Sequence, residues 1–286
     1  MADTPRRREM IDLHCHSTAS DGMLAPADVV RHAAEIGIAT LALTDHDTTA
    51  GVAEAMEAGR EVGVNVIGAC EFSVQVRWGE MHLLGYFLPS GNDRLEDFLV
   101  HARDGRDRRA RGMVSRLTGL GLRIGFDDIR RIADGGAIGR PHVARALLAA
   151  GHVTTIQQAF DRYIGTGRPA FVDKELPPLR DVADLVHSVG GIVSAAHLKR
   201  HGTRTELALL RADGLDAVET RHPSHDGETR ATITEAAEAL DLARTGGSDW
   251  HGDLDTIGTH ARLGSQDVPD EWLPPLERRR PAARAG

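Results

Sequence analysis

Ile11-Asp12-Leu13-His14-Cys15-His16-Ser17, followed closely by Ser20-Asp21-Gly22, is the stretch from which the rest of the chain can be read. It reads as a short strand with two unlike faces. Ile11, Leu13 and Cys15 fall on one; Asp12, His14 and His16 fall on the other. Strand side chains alternate, so residues two apart point the same way. His14 and His16 can therefore reach one metal ion while the apolar face packs elsewhere.

Outward from this strand, helical and strand patterns alternate. Residues 26–37 read as a helix that Pro26 starts and Gly37 stops. Residues 38–43 read as a buried strand running into Thr44-Asp45-His46-Asp47. A helix over 52–62 precedes a strand over 64–69 that delivers Glu71. Residues 72–76 and 81–87 resemble a hairpin across Arg77-Trp78-Gly79-Glu80, with His82 at the start of its second arm.

The pattern then changes. Residues 94–120 read as one long, Arg-rich helix, and helical patterns continue through 127–133, 141–150 and 154–163 without a convincing buried strand. The charge patterning assigns the arginines to a solvated face, with contact to an anionic substrate as the alternative. Strands resume at 191–196, ending at His197, at 215–218, near Glu219, and at 242–245, ending in Gly246-Gly247-Ser248-Asp249-Trp250-His251. The expected organisation is an α/β barrel in two parts, 1–92 and 177–268. A helical insertion over 93–176 divides it, and a poorly structured tail follows over 269–286. Ligands at the C-terminal ends of strands are how a βα barrel presents its site, although the alternation alone fits an open doubly wound sheet too.

Nine residues recur at or after predicted strand ends: His14, His16, Asp21, His46, Glu71, His82, His197, Asp249 and His251. A lone strand-end histidine is commonly a hydrogen-bonded structural residue. The repetition from strand to strand argues for a shared centre. Imidazole and carboxylate without thiolate suit Mn, Fe or Zn. Nine donors exceed the needs of one ion and suffice for two or three. Such clusters serve phosphoester hydrolysis. Asp12, Asp45 and Asp47 read as carboxylates that orient the neighbouring imidazoles.

The order of these motifs resembles the polymerase-and-histidinol-phosphatase (PHP) family. The resemblance rests on Asp12-Leu13-His14-Cys15-His16-Ser17, Ser20-Asp21-Gly22, Thr44-Asp45-His46-Asp47, Gly68-Ala69-Cys70-Glu71, Met81-His82-Leu83-Leu84-Gly85, Ala196-His197 and Gly247-Ser248-Asp249-Trp250-His251. It implies a distorted (β/α)₇ barrel with up to three ions. His14, His16, Glu71 and Asp249 would hold the first. Glu71 would bridge to a second with His82 and His197, and Asp21, His46 and His251 would hold the third. A hydroxide bridging the ions would attack phosphorus, with Glu71, Asp249 and His197 as the catalytic set. Within the family the chain is most similar to the branch acting on nucleoside 3′,5′-bisphosphates or trimming short RNAs from the 5′ end. Gly139-Arg140-Pro141-His142 followed by Gly167-Arg168-Pro169 resembles that branch's insertion. Arg140 and His142 would then contact phosphate, and Lys199 and His225 complete the expected substrate contacts. Leu198, where the family usually has Pro, and Trp250, where it usually has Phe, are departures that bear on the substrate.

Composition sets outer limits. A net charge of −8 argues against a general polyanion binder held by bulk charge, and no duplex DNA partner is expected. Two cysteines without a CxxC pair suggest the cytosol. No long apolar run suggests a membrane span, and Met1 to Glu9 carries no leader pattern. Oligomeric state is not legible. The expected cofactors are two or three divalent ions, Mn²⁺ first, with Fe²⁺ or Zn²⁺ as alternatives. Competing readings are a phosphatase for another small ester such as histidinol phosphate, a metal-dependent amidase or deaminase, and a non-catalytic module that kept the fold.

Overall fold

The computed structural model describes residues 9–252 and 261–281. Residues 1–8, where no leader pattern was read, and His260, read as an ordinary histidine, lie outside that range. Seven strands form one sheet in chain order: β1 (Met10–Cys15), β2 (Ile38–Leu43), β3 (Asn65–Val76), β4 (Gly79–Tyr86), β5 (Ile192–Ala195), β6 (Ala217–Arg221) and β7 (Ala243–Gly246). Neighbours are parallel except that β4 runs against β3 and β5. The sheet closes at its ligand-bearing end. The Asp249 amide donates to the His14 carbonyl at 2.8 Å, and the His16 amide to the Trp250 carbonyl at 2.9 Å. Val268 bridges Ile11 in the antiparallel sense. The result is a distorted seven-stranded barrel.

Helices α1 (Pro26–Glu35) and α2 (Val52–Val62) cover β1 to β3. Val29, Val30, Ala33 and Ala55 pack there on Cys15, Leu41 and Leu43. Ile11 and Leu13 join a different cluster with Ala69, Leu84, Tyr86 and Ala217. β3 is one continuous 12-residue strand, not a short strand followed by a separate hairpin arm. Burial explains the difference. Glu71 in its middle is 1% exposed, so its charge does not mark a strand end.

Helix α3 (Asp93–Gly119) serves two cores. Leu95 and Leu99 pack into the barrel cluster. Ala110, Met113 and Leu117 join a second cluster with residues of α4 (Phe126–Ala133) and α5 (Arg140–Ala149), and with Ile164 and Ala170. A short α6 (Ile156–Ala159) runs into a π-turn over Phe160–Ile164. The chain returns through α7 (Leu179–Ser188), α8 (Arg204–Ala212) and α9 (Gly227–Ala239). The tail is more ordered than its proline content suggested. It forms α10 (Leu273–Glu277), where Leu276 is fully buried and Trp272 lies under the guanidiniums of Arg221 and Arg244. Among the described residues no helix is long and apolar enough to cross a membrane.

The insertion is pinned to the barrel through Asp47. Its Oδ2 accepts Arg106 Nε of α3 at 2.7 Å and Lys174 Nζ at 2.6 Å, and its Oδ1 accepts the Ser73 amide at 3.2 Å. All three charged side chains are under 10% exposed. Burial opposes ionisation of Asp47, but Lys174 and Arg106 outweigh it and hold the carboxyl well below its usual range. The stabilisation is therefore present above the unfolded carboxyl pKa near ~4 and lost as pH falls through the depressed folded value. Replacing Asp47 by Ala strands two buried cations and should lower the unfolding free energy by roughly 3–5 kcal/mol, read as an earlier midpoint in urea at neutral pH. An unchanged midpoint would mean that apolar contacts alone hold the insertion.

Candidate metal centre

The parallel strands bring their C-terminal ends to one place, and antiparallel β4 offers its N-terminal part there. His82 near the start of β4 thus meets His14 and His16 from β1, His46 after β2, Glu71 in β3, His197 after β5, and Asp249 and His251 after β7. Asp21 comes from the loop after β1. All nine expected residues lie around one cleft end.

Glu71 is the hub. Its Oε2 lies 3.4 Å from His14 Nε2, 3.2 Å from His16 Nε2 and 3.1 Å from His46 Nδ1. Its Oε1 lies 2.7 Å from His82 Nδ1 and 3.1 Å from His197 Nε2. Asp249 Oδ1 approaches both His14 Nε2 and His16 Nε2, at 3.3 and 3.2 Å. Asp21 Oδ1 stands 3.3 Å from His251 Nε2 and 3.9 Å from His46 Nε2. Among the described residues four donor groups result: His14, His16, Glu71 and Asp249; His46, Glu71 and His82; His16, Asp21, His46 and His251; and His14, Glu219 and His222.

These groups fit divalent ions on an observation independent of their identity. His14 Nε2, His16 Nε2, His46 Nδ1, His82 Nδ1, Glu71 Oε2 and Asp21 Oδ1 are buried and, among the described residues, crowd one another without making an aligned hydrogen bond. Buried polar atoms are rarely left so. Nitrogen and oxygen donors converging within a few ångströms are what a transition-metal ion requires.

Without ions the carboxylates draw protons onto some of the imidazoles, whereas burial holds His46 and His197 below their ordinary value. Burial opposes the charge on His16, but Asp249 and Glu71 outweigh it and push the ring up to about 9. Burial likewise opposes His82, and Glu71 with Glu80 pushes it up to about 10. Burial raises Glu71, yet His46, His82 and His14 hold it well below the usual carboxylate range. Backbone strain marks two of these positions. His197 has φ 33° and Asp249 φ 51°, both in the left-handed region that non-glycine residues avoid.

Two participants were not read from the sequence. Glu219 lies within β6 and is fully buried. Its Oε1 is 3.1 Å from His14 Nδ1, and its Oε2 accepts the His197 amide at 2.8 Å. It orients the imidazole, a role expected of Asp12, Asp45 and Asp47. Those three act on backbone and loop instead. Asp12 accepts the amides of His14, Ser248 and Gly264. Asp45 accepts from Ser17 and Ser20, and Asp47 pins the insertion. His222 is the second; its Nε2 is 3.4 Å from Asp249 Oδ2 and its Nδ1 is 2.8 Å from Ser224 Oγ.

The substrate residues divide. Arg140 and Lys199 line the cleft, together with Arg106, Arg109 and Lys174. Arg106 and Arg109 correct the view of α3 as a solvated face. Arg106 shares the buried stripe of Ala110, Met113 and Leu117, spaced as a helix face requires. His142 and His225 are not among the lining residues. His142 is 1% exposed and its Nδ1 accepts the Gly139 amide at 2.9 Å, so it caps α5; burial pushes it down to about 4. His225 accepts the Lys199 amide at Nε2, 3.3 Å away, and props a turn in which Lys199 has φ 52°.

Metal binding here must displace protons, so affinity should rise with pH. The gain in Tm on adding Mn²⁺ should be larger at pH 8.5 than at pH 6. A gain independent of pH would show that the raised imidazoles are not ligands. Glu71→Ala should bind at least one ion fewer by elemental analysis and lose nearly all turnover while remaining folded. A fully metallated, active variant would overturn the hub role.

The PHP domain model matches residues 12–229, a span containing seven of the nine candidate ligands. The chain is 34% identical over 245 residues to a 5′-3′ exoribonuclease of Haemophilus influenzae, covering 84% of this chain and 89% of that protein. It is 34% identical over 249 residues to the 3′,5′-nucleoside bisphosphate phosphatase of Chromobacterium violaceum, covering 84% and 87%. Among solved structures, a metal-dependent phosphoesterase candidate from Bifidobacterium adolescentis superposes with a TM-score of 0.87 at 31% identity, covering 98% and 99%. An amidohydrolase from Chromobacterium violaceum, with bound SO4 and no metal, superposes at 0.82 and 31%, covering 96% and 98%. With that span matched and relatives this similar over most of both chains, the chain belongs to the PHP domain family.

Proposed function

We propose that this chain is a metal-dependent phosphoesterase acting on a nucleotide, either a nucleoside 3′,5′-bisphosphate or the 5′ end of a short RNA. The observation that carries the reading is one cleft lined both by the clustered imidazoles and carboxylates and by Arg106, Arg109, Arg140, Lys174 and Lys199. A phosphate ester needs both. The names of the relatives from H. influenzae and C. violaceum support the nucleotide part.

His14, His16, Glu71 and Asp249 would hold one ion, Glu71, His82 and His197 would hold a second, and Asp21, His46 and His251 a third. Mn²⁺ is the first choice, and Fe²⁺ and Zn²⁺ share the same ligand preferences. Such ions, when bound, neutralise phosphate charge and supply an acidified water. The chain supplies the rest. Glu219 fixes His14, and Arg140 receives the phosphate. The Arg140 guanidinium sits over the rings of Phe160 and Phe171, at 5.8 and 5.9 Å, which limits its freedom before substrate arrives. Burial lowers its pKa, which leaves it readier to pair with an anion than an exposed arginine. In the net reaction water forms one P–O bond, the ester P–O bond breaks, and the leaving oxygen gains a proton.

Phosphate release with Mn²⁺ should favour adenosine 3′,5′-bisphosphate or a short 5′-phosphorylated RNA over AMP and histidinol phosphate. Activity confined to a non-nucleotide ester would discard the nucleotide part and keep the metal site. Arg140→Ala should raise KM for the nucleotide roughly 10- to 100-fold, the value of a charged hydrogen bond, with little change on a small generic ester. Equal losses on both would place Arg140 in the chemistry or the fold.

A further inference from the structure

The cleft does not end at the candidate ligands. It opens into a groove of about 860 Å³, against about 260 Å³ for the cleft itself, and the two share Glu80, His82, Arg140, Lys174, His197 and Lys199. The groove runs between the β3–β4 turn at Trp78, the segment 171–176 and the turn 198–201. Holding ions requires none of these additional walls.

Two features define its chemistry. The first is charge. With Lys174 paired to Asp47, Arg140, Lys199 and Arg200 still outnumber the lining acids Glu80 and Asp173, a local positive excess on a chain of net charge −8. The second is a set of flat ring faces. Trp78 and His201 lie stacked with centroids 4.6 Å apart and planes 3° from parallel. Phe171 lies opposite the guanidiniums of Arg109 and Arg140. The ring wall is held in place beforehand. Glu206 binds His201 Nδ1 at 3.1 Å, accepts Thr203 Oγ1 at 3.0 Å and pairs with Arg77 at 3.4 Å.

We propose that this groove binds the second and third nucleotides of a single-stranded RNA whose 5′ end occupies the cleft. Arg140, Lys199 and Arg200 follow the backbone, and a base lies against the Trp78–His201 wall. Cations alternating with ring faces are what a single strand requires, whereas a mononucleotide fills only the cleft. Bulk charge does not draw a polyanion to this chain, so the groove itself must retain it. The inference rests on the nucleotide reading above and narrows it to oligonucleotides.

Trp78→Leu keeps an apolar side chain where Trp78 packs on the barrel core and removes the ring. Arg200→Glu reverses an exposed charge and spares the core. Two measurements separate the groove from the cleft. One is kcat/KM with Mn²⁺ for adenosine 3′,5′-bisphosphate and for a 5′-phosphorylated trinucleotide RNA. The other is equilibrium binding of the trinucleotide, fluorescein-labelled at its 3′ end, to the metal-free protein. Each variant should lose roughly ten-fold on the trinucleotide, within the range of one base–aromatic stack, and stay within about two-fold on the bisphosphate. Equal losses on both substrates, or no loss on the trinucleotide, overturn the groove assignment. If the unmodified protein hydrolyses neither substrate, the nucleotide activity fails and the binding arm decides alone. Weaker binding by both variants then upholds the groove, and unchanged binding overturns it.

Discussion

Five imidazoles stand within 3.4 Å of one buried carboxylate, that of Glu71. An anion so enclosed in a water-poor interior needs a compensating positive charge, even if some of the rings stay neutral. Either protons or metal ions must supply the balancing charge. The two oxygens of Glu71 divide the rings into two groups, three on one oxygen and two on the other. That division gives a single carboxylate the geometry to bridge two positions. The strand continuing through Glu71 keeps it rigid, since its amide donates to the Asp45 carbonyl and its carbonyl accepts the Asp47 amide.

Closure of the barrel and assembly of the site are the same event. The hydrogen bonds that join the end of β7 to β1 are made by the backbones of His14, His16, Asp249 and Trp250. Gly247 makes the approach possible, because a Cβ there would sit 2.4 Å from both the Cβ and the amide nitrogen of His14. The left-handed φ of Asp249 and of His197 is tolerated because neighbouring contacts over-determine both turns. Strain, close packing and candidate metal ligation thus fall on the same few residues.

Much of this was legible in the sequence because strand alternation is a strong constraint. His14 and His16 two apart, and the same spacing in Asp249 and His251, place side chains on one face without any knowledge of the fold. The α/β class follows from alternating element types, while the barrel rests on the family resemblance, since alternation alone fits an open sheet too. The rest was hidden for definite reasons. Glu219 looked like a strand end because a charged residue inside a buried strand is rare, yet its partners come from β1 and from the turn after β5. Arg106 was masked by the other arginines of α3, whose abundance hides the buried stripe. His142 and His225 carry the residue type of a ligand or phosphate contact. A capped helix and a propped turn use the same ring nitrogen, and only coordinates separate these uses.

The seam has a temporal meaning as well. Ser248 donates its amide to Asp12 across 236 positions of the chain. Contacts this remote carry a large loop-closure cost, which slows their formation. During synthesis, His14, His16, Asp21, His46, Glu71 and His82 emerge long before Asp249 and His251. A growing chain therefore carries an incomplete candidate centre. The last strand of the sheet completes the candidate centre, so a chain that has not yet formed β7 lacks two of its nine candidate ligands.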